Sequence, residues 1–309
     1  MLRRLTLLAT AILFLVVFGA SAQQENPSAT VPVRTVTTVL GKNFGTPPAV
    51  SRDDVQVFDG KTRLNVSEWV PAKGERGALD FAIVIDDASD TNLGLQLKDL
   101  ADFIREMPPT ARVGIFYARN GTIELAQNFT GDHEQAAKAL RLPLGNPGAF
   151  GSDYLSLIDL FKRWPESPVR REILLVSDGI DRFRGDFPTS PDLLESIVQA
   201  QRGGIIIHTI YASAVGRYGR NSFRVNLGQS NLSQLAGDTG GESFFQGFQT
   251  PVAYAPFLKE LSVVLQNQYL LTFLDKPDPK GNLHKFHVHT EVQGAEISVP
   301  EMLYVPAAK

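Results

Sequence analysis

Two aspartates that lie far apart in the chain each follow a run of apolar residues. Residues 81–85 run into Asp86, and residues 173–177 run into Asp178. If both runs are strands of a parallel sheet, their carboxyl ends open onto the crevice where such sheets bind ligands. Acids from two strand ends, with a hydroxyl from a loop, provide the oxygen ligands that hard divalent cations prefer. The pattern points to a cation site, although acids after strands also cap helices or bond loop amides without metal.

The elements that would carry these acids alternate along the middle of the chain. Continuous apolar runs, typical of strands covered on both faces, occupy residues 81–85, 173–176 and 205–211. Helical spacing of apolar side chains or helical composition is found at residues 93–107, 133–142, 153–163, 191–201 and 256–268. Residues 212–230 lack such a period and predict a long loop before a short helix at 231–237. This alternation predicts a doubly wound α/β domain with a mainly parallel sheet.

The two ends of the chain have β character instead. Residues 31–71 contain short β-prone runs with a hairpin signal at Asp59-Gly60, and such runs return from residue 269. A small β-sandwich-like domain built from both ends, with the α/β domain inserted in it, accounts for this order. We therefore predict an N-terminal β segment at 23–75, the α/β domain at 76–268, and a C-terminal β segment at 269–309 that pairs with 31–75.

The first 22 residues have the pattern of a secretory signal peptide. Arg3 and Arg4 precede an apolar run at 5–18, and Ala20-Ser21-Ala22 fits a cleavage site. We expect export to the periplasm or the extracellular space, without integral membrane association after cleavage. The chain has no cysteine, so its core must stabilise it without disulfides. Without the two arginines the acidic residues, 33 in all, exceed the basic ones by about five, which argues against nucleic acid as a partner.

In this order of elements the chain resembles a von Willebrand factor A domain. More narrowly, it is similar to the secreted family of such proteins that is abundant in acidobacterial genomes. The strand into Asp86 stands where that fold carries an Asp-x-Ser-x-Ser motif, and Gly151-Ser152 where its threonine loop belongs. VSDG at 176–179 and LAGDTGGESFF at 235–245 match later motifs, and the flanks DDVQVFDGKTRLNVSEW and QYLLTF…EMLYVP look alike too.

The resemblance implies a metal-ion-dependent adhesion site for Mg²⁺ or Mn²⁺, with one position open for an acidic group of a partner. Carried over position by position, its ligands are Asp86, Asp90, Ser152 and Asp178, while Ala88 stands at a serine position and offers no oxygen. Asp90 places a second carboxylate where the family has a hydroxyl. That charge weakens the attraction for an acidic partner and makes Ca²⁺ a plausible occupant.

A register shifted by one residue gives a second candidate set. Asp87, Ser89 and Thr91 match the oxygen pattern without a gap. The shift would turn the first carboxylate to the other side of the sheet, because side chains alternate along a strand. The register that begins at Asp86 is therefore preferred, and a metal-free brace of the loop stays open as the alternative.

Arginines follow in loops that could approach the same edge, at positions 182, 184, 217, 220 and 224. We interpret them as solvated charge rather than as contacts for an acidic partner. The chain has no G-x-S-x-G nucleophile motif and no P-loop, so no catalytic residue and no organic cofactor is assigned.

These observations predict a secreted, non-enzymatic binding module that engages a protein or an extracellular polymer, in an oligomeric state that the sequence leaves open. A divalent cation (Mg²⁺, Mn²⁺ or Ca²⁺) would shape its contact face. The first alternative is a metal-free scaffold with its surface elsewhere, and the second is a metal-dependent extracellular hydrolase.

Overall fold

The continuous apolar runs form the strands of a central sheet in the computed structural model of the chain. The structure describes residues 30–146, 151–164, 167–185, 190–215 and 221–308, so the predicted signal peptide lies outside it. The strands are β1 Val31–Gly41, β2 Val55–Asp59, β3 Thr62–Pro71, β4 Leu79–Asp86, β5 Ala111–Arg119, β6 Thr122–Thr130, β7 Arg170–Ser177, β8 Ile205–Tyr211, β9 Ser243–Phe244, β10 Gln268–Asp275, β11 Asn282–Lys285, β12 His287–Thr290, β13 Ala295–Ser298 and β14 Met302–Val305. The helices are α1 Gly94–Glu106, α2 His133–Lys138, α3 Asp153–Arg163, α4 Pro191–Gly203, α5 Ser222–Thr239 and α6 Ala255–Gln266.

The central sheet has the strand order β6-β5-β4-β7-β8-β9 and is parallel except for the β5–β6 pair. Helices α1, α2 and α6 pack on one face, and α3, α4 and α5 pack on the other. Strand β4 contributes side chains to the hydrophobic cores on both faces of the sheet. Ile83 and Ile85 pack in the core under α1, α2 and α6, while Ala82 and Val84 pack in the core under α3, α4 and α5. The predicted doubly wound α/β fold is thereby confirmed.

The order of the central strands places a switch point between β4 and β7. From β4 the chain moves outward to β5 and β6, and from β7 it moves outward in the opposite direction to β8 and β9. In open α/β sheets the crevice beyond the carboxyl ends of two such strands is where ligands bind. Asp86 ends β4 and Asp178 directly follows β7, so both aspartates lie at this crevice.

The antiparallel sheet is built from both ends of the chain, as the flanking segments predict. Its order is β12-β2-β3-β10-β1-β13, with β10 from the C-terminal part paired between β3 and β1. Its two edge strands β12 and β13 contact each other, so the sheet is curled. The two-stranded sheet β11–β14 covers it, with Leu303 and Val305 packed in the same core as Val33 and Phe273.

A buried polar network lies at the amino-terminal end of β7, opposite the crevice. Glu172 of β7 accepts hydrogen bonds from His208 of β8 (3.0 Å) and from Gln268 of β10 (3.1 Å). Arg170 lies 3.3 Å from the other carboxylate oxygen, and it donates to the backbone oxygen of Gly77 at 3.0 Å. Gln268 is the first residue of β10, an inner strand of the antiparallel sheet. The network therefore links that sheet to the inserted α/β domain.

Candidate binding site

The two strand-end aspartates converge on one arginine. Nη1 of Arg182 lies 3.6 Å from Oδ2 of Asp86, and Nη2 donates to Oδ2 of Asp178. Both carboxylates are almost fully buried, and the arginine side chain is only 18% exposed. The interpretation of Arg182 as solvated charge is therefore wrong, because the loop after β7 folds back over the crevice and carries the guanidinium inward.

The backbone after β7 directs Arg182 into the crevice. Gly179 takes a positive φ of 72°, a conformation that glycine adopts without strain. Its carbonyl oxygen accepts hydrogen bonds from Tyr154 Oη (2.7 Å) and Asn231 Nδ2 (3.0 Å). Oδ1 of Asp178 accepts from the backbone N–H of Ile180 at 3.0 Å, which closes the turn. Buried bonds thus fix the turn from which the arginine extends.

A third acid, Asp153, lies beside this group and was not anticipated from the sequence. It stands in the first turn of α3, it is buried, and its carboxylate accepts a hydrogen bond from Ser177 Oγ. An acid in the first turn of a helix usually stabilises the helix end, so nothing in the sequence distinguishes Asp153 from a solvated one. Its proximity follows from the packing of α3 against the end of β7.

Burial dominates the electrostatics of these acids. It raises the pKa of Asp86 to about 7, while the charge of Arg182 and the N–H of Ala88 act in the opposite direction. Burial, together with the charge of Asp86, also raises the pKa of Asp153 well above its usual range. For Arg182, burial alone would lower the pKa, but the charges of Asp178, Asp86 and Asp153 outweigh burial and raise it. The guanidinium therefore stays charged.

The raised pKa of Asp86 predicts that this group destabilises the fold as the pH rises from about 4 to about 7. Between those values the folded state keeps a proton that the unfolded state has released, so raising the pH favours unfolding. We expect Asp86→Asn to reduce the difference in unfolding free energy between pH 5 and pH 7, measured by urea denaturation.

The matched control for that prediction is Asp102→Asn. Asp102 is exposed on α1, and its pKa is lowered by the hydrogen bond from Lys98, so it is ionised in both states over this range. An Asp86→Asn variant whose stability keeps the full pH dependence of the unmodified protein would contradict the prediction.

The other two predicted ligands form hydrogen bonds with residues close to them in the sequence. Oδ1 of Asp90 accepts hydrogen bonds from the backbone and side-chain nitrogens of Asn92, both at 3.0 Å. The hydroxyl of Ser152 caps α3 by accepting from the N–H of Leu155 at 3.4 Å. Of the four predicted ligands, Asp86 and Asp178 both contact Arg182, whereas Asp90 and Ser152 form hydrogen bonds within local turns.

The three residues of the shifted register, Asp87, Ser89 and Thr91, lie in different environments. Asp87 forms a two-pronged ion pair with Arg141, at 2.7 and 2.9 Å, and the arginine stacks on the ring of Tyr117. Ser89 is buried, and its hydroxyl has no hydrogen-bond partner among the described residues. Thr91 is exposed. This second candidate set stays a prediction.

With Arg182 in place, the residues at the crevice do not fit a divalent cation. Within the described ranges, no three or more histidine, aspartate or glutamate side chains are arranged as a metal site. The positive charge that the two buried carboxylates require is already supplied by the guanidinium. Oδ2 of Asp86 accepts no hydrogen bond from the described residues, so it is the atom that would gain most from a closer cation. The ligand set Asp86, Asp90, Ser152 and Asp178 stays a prediction.

An open cavity of about 740 Å³ adjoins the crevice at the same edge of the sheet. Asp90 and Asn92 follow β4, Ser213 follows β8, and the start of α5 closes one side. Apolar side chains at its mouth are largely solvent-exposed, with Phe248 57% and Val252 80% exposed. Sequence reasoning missed this cavity because residues 245–252 have no periodic pattern. No helix in the described part of the chain is long and apolar enough to span a membrane.

Comparison with known proteins gives structural similarity only. No protein-family model matches the chain, and no curated protein matches it. A von Willebrand factor type A protein from Catenulispora acidiphila superposes with a TM-score of 0.44 at 10% identity, over 93% of this chain and 76% of that one. An aerotolerance-related membrane protein from Bacteroides fragilis gives 0.43 at 13% identity, over 61% and 98%. The manganese-loaded TRAP protein of Plasmodium vivax gives 0.42 at 10% identity, over 78% and 98%.

Proposed function

We propose that the protein is an exported, non-enzymatic binding module that contacts a protein partner through the carboxyl-terminal edge of its central sheet. The observation that carries the proposal is the 740 Å³ cavity beside the switch point, with exposed Phe248 and Val252 at its mouth. Exposed aromatic and aliphatic side chains around a concave surface are typical of protein contact sites. The signal-like residues 1–22 support export.

The polar side chains at this edge would orient the partner. Asp90 contributes a carboxylate to the cavity, and the hydroxyls of Ser213 and Thr250 bond each other at 2.7 Å in its wall. A cavity that combines a few fixed polar groups with apolar walls discriminates between ligands through those groups. The antiparallel sheet would act as the carrier of the binding domain.

A cation-dependent form of the same function is the second candidate. It is favoured by two buried oxygens, Oδ2 of Asp86 and Oγ of Ser89, that have no hydrogen-bond partner among the described residues. In that form Asp86, Asp90, Ser152 and Asp178 would hold Mg²⁺, Mn²⁺ or Ca²⁺, and Arg182 would have to leave the crevice.

The test is affinity capture from the exported fraction with the unmodified protein and with the double variant Phe248→Glu/Val252→Glu. Both side chains are exposed, so the fold should persist, whereas two charges at the centre of an apolar contact should reduce recovery of the partner at least about tenfold. Quantitative mass spectrometry measures the recovery.

Two controls locate the surface. Leu125→Glu changes an exposed apolar residue on β6, outside the cavity lining, and should leave capture intact. Tyr304→Glu changes an exposed residue on β14, in the two-stranded sheet β11–β14 that covers the antiparallel sheet. Undiminished capture by the double variant, combined with loss in Tyr304→Glu, would move the contact surface to the two-stranded sheet β11–β14.

A further inference from the structure

The cavity at the carboxyl-terminal edge of the central sheet carries a negative charge. Among the described residues that line it, only Asp90 is charged, and the others are apolar or have hydroxyl and amide groups. Asp90 is partly buried, and no basic side chain in the described part of the chain pairs with it. The crevice acids Asp86 and Asp178 differ from it, because both contact Arg182. The cavity therefore presents a carboxylate that the described residues do not neutralise.

The amide donors of Asn92 and Gln96 are used within the cavity wall. The backbone and side-chain nitrogens of Asn92 donate to Oδ1 of Asp90, both at 3.0 Å, which leaves Oδ2 of Asp90 as an acceptor. Nε2 of Gln96 donates to the carbonyl oxygens of Pro251 and Val252 at 2.8 and 3.0 Å. Gln96 is 8% exposed, and its Oε1 accepts no hydrogen bond from the described residues. A ligand that donates hydrogen bonds therefore fits these groups better than one that accepts them.

Apolar side chains line the same cavity. Leu95, Phe248 and Val252 are each more than half exposed. A carboxylate that is partly shielded from water attracts an opposite charge more strongly than one on an open surface. The ring of Phe248 also attracts a cation over its face. The aliphatic stem of a lysine or arginine packs against such apolar groups while its charged end reaches an acid.

We propose that the cavity receives a basic side chain, arginine or lysine, of a protein partner and pairs it with Asp90. The occupant is identified by charge complementarity, since the cavity combines one unpaired carboxylate with acceptor oxygens and apolar walls. The cavity volume of about 740 Å³ accommodates such a side chain together with an apolar residue beside it. This inference rests on the proposed function, and it adds the chemistry of the residue that the partner inserts.

Selection from a random peptide library displayed on phage, with the exported protein in EDTA, tests the proposal. The selected peptides should be enriched in arginine or lysine next to an apolar residue. Each peptide is then synthesised and titrated by fluorescence anisotropy, beside a copy in which citrulline replaces arginine or norleucine replaces lysine. Removing the positive charge should weaken binding at least about tenfold, because a charge-assisted hydrogen bond is lost.

The variant Asp90→Asn removes the charge and keeps an oxygen for the hydrogen bonds from Asn92, so the fold should persist. It should bind the basic peptides about tenfold more weakly and should not distinguish them from their neutral copies. Raising the salt concentration from about 0.05 M to about 0.5 M should weaken binding to the unmodified protein much more than binding to Asp90→Asn. The control Asp102→Asn changes an exposed acid of α1 outside the cavity lining, and it should behave like the unmodified protein.

The neutral double variant Phe248→Ser/Val252→Ser separates this inference from the proposed function. Peptides that lose binding to it but contain no basic residue, or that bind Asp90→Asn as well as the unmodified protein, would overturn the inference and leave the proposed function intact. Acidic peptides that bind only when Mg²⁺ replaces EDTA would also overturn it, and they would favour the cation-dependent form. A library that yields no binder, or only peptides that bind the double variant undiminished, would contradict both.

Discussion

Gly228→Ala is expected to destabilise the protein by at least about 2 kcal/mol, although alanine is the better helix former by about 1 kcal/mol. Gly228 lies in α5, where the helix backbone passes against the carbonyl group of Asp178. An added Cβ would overlap the carbonyl oxygen of Asp178 and lie 3.1 Å from its carbonyl carbon. The neighbouring atoms are backbone, which cannot rotate away, so the helix or the turn that carries Arg182 must shift.

The matched control is Gly237→Ala in the same helix. An added Cβ at Gly237 meets no atom within 4 Å, and the residue is exposed. Here only the helix preference acts, so the free energy of unfolding should rise by about 0.5–1 kcal/mol. Equilibrium denaturation in urea measures both variants. A stabilised Gly228→Ala would mean that α5 does not press on the turn after β7.

The same close approach explains why α5 was misjudged from the sequence. Residues 212–230 are polar and glycine-containing, so they predict a long loop with a short helix at 231–237. In the structure α5 begins at Ser222, with Asn221 as its cap, and extends to Thr239. Its first half buries only one apolar side chain, Val225, beside Gly228 and Gln229, so this half packs largely through a backbone contact and polar groups. Apolar periodicity cannot detect this half of the helix.

The strands of the central sheet were predictable because burial on both faces leaves a local signature. All eight residues of β4 and all seven of β8 are buried, which the continuous apolar runs already indicate. Once those strands are parallel neighbours, the convergence of Asp86 and Asp178 follows from geometry. The antiparallel sheet was predictable for a similar reason, since β-prone runs at both ends require partners.

What the sequence could not indicate is which charge meets the two acids. Arg182 stands four residues after Asp178 in a loop with glycine on both sides, which looks the same as a solvent-exposed arginine. Its burial depends on the turn at Gly179 and on contacts from α3 and α5, and these are tertiary. Asp153 was missed for the same reason. A cation site and a guanidinium-filled site have almost the same local sequence.

Glu172→Ala should cost roughly 3–5 kcal/mol, because it leaves a buried arginine without its charge partner. Glu172 is fully buried, and Arg170 is 5% exposed beside it. The N–H of Glu242 donates to Nδ1 of His208 at 3.0 Å, so Nε2 carries the proton that His208 donates to Glu172. Three side chains thus depend on one carboxylate, and Gln268 links it to the antiparallel sheet. Urea denaturation should show the loss.

The pH dependence of this variant provides a second readout. Burial alone would raise the pKa of Glu172, but the hydrogen bond from His208 and the charge of Arg170 outweigh burial and lower it. Its stabilisation is therefore complete above the ordinary pKa of about 4.3 and is lost as the pH falls through the lower folded value. The unfolding free energy of Glu172→Ala should therefore lack the part of the acid-induced decrease that protonation of Glu172 causes in the unmodified protein.

Asp102→Ala is the control, because Asp102 pairs with Lys98 and Arg105 on an exposed face of α1. Exposed ion pairs contribute little to stability, so this variant should unfold close to the unmodified protein. If Glu172→Ala were no more costly than Asp102→Ala, Arg170 would have to reach water or another acceptor after the change. The joint between the two sheets would then rest on apolar packing, and the inserted domain would keep its orientation without the buried charges.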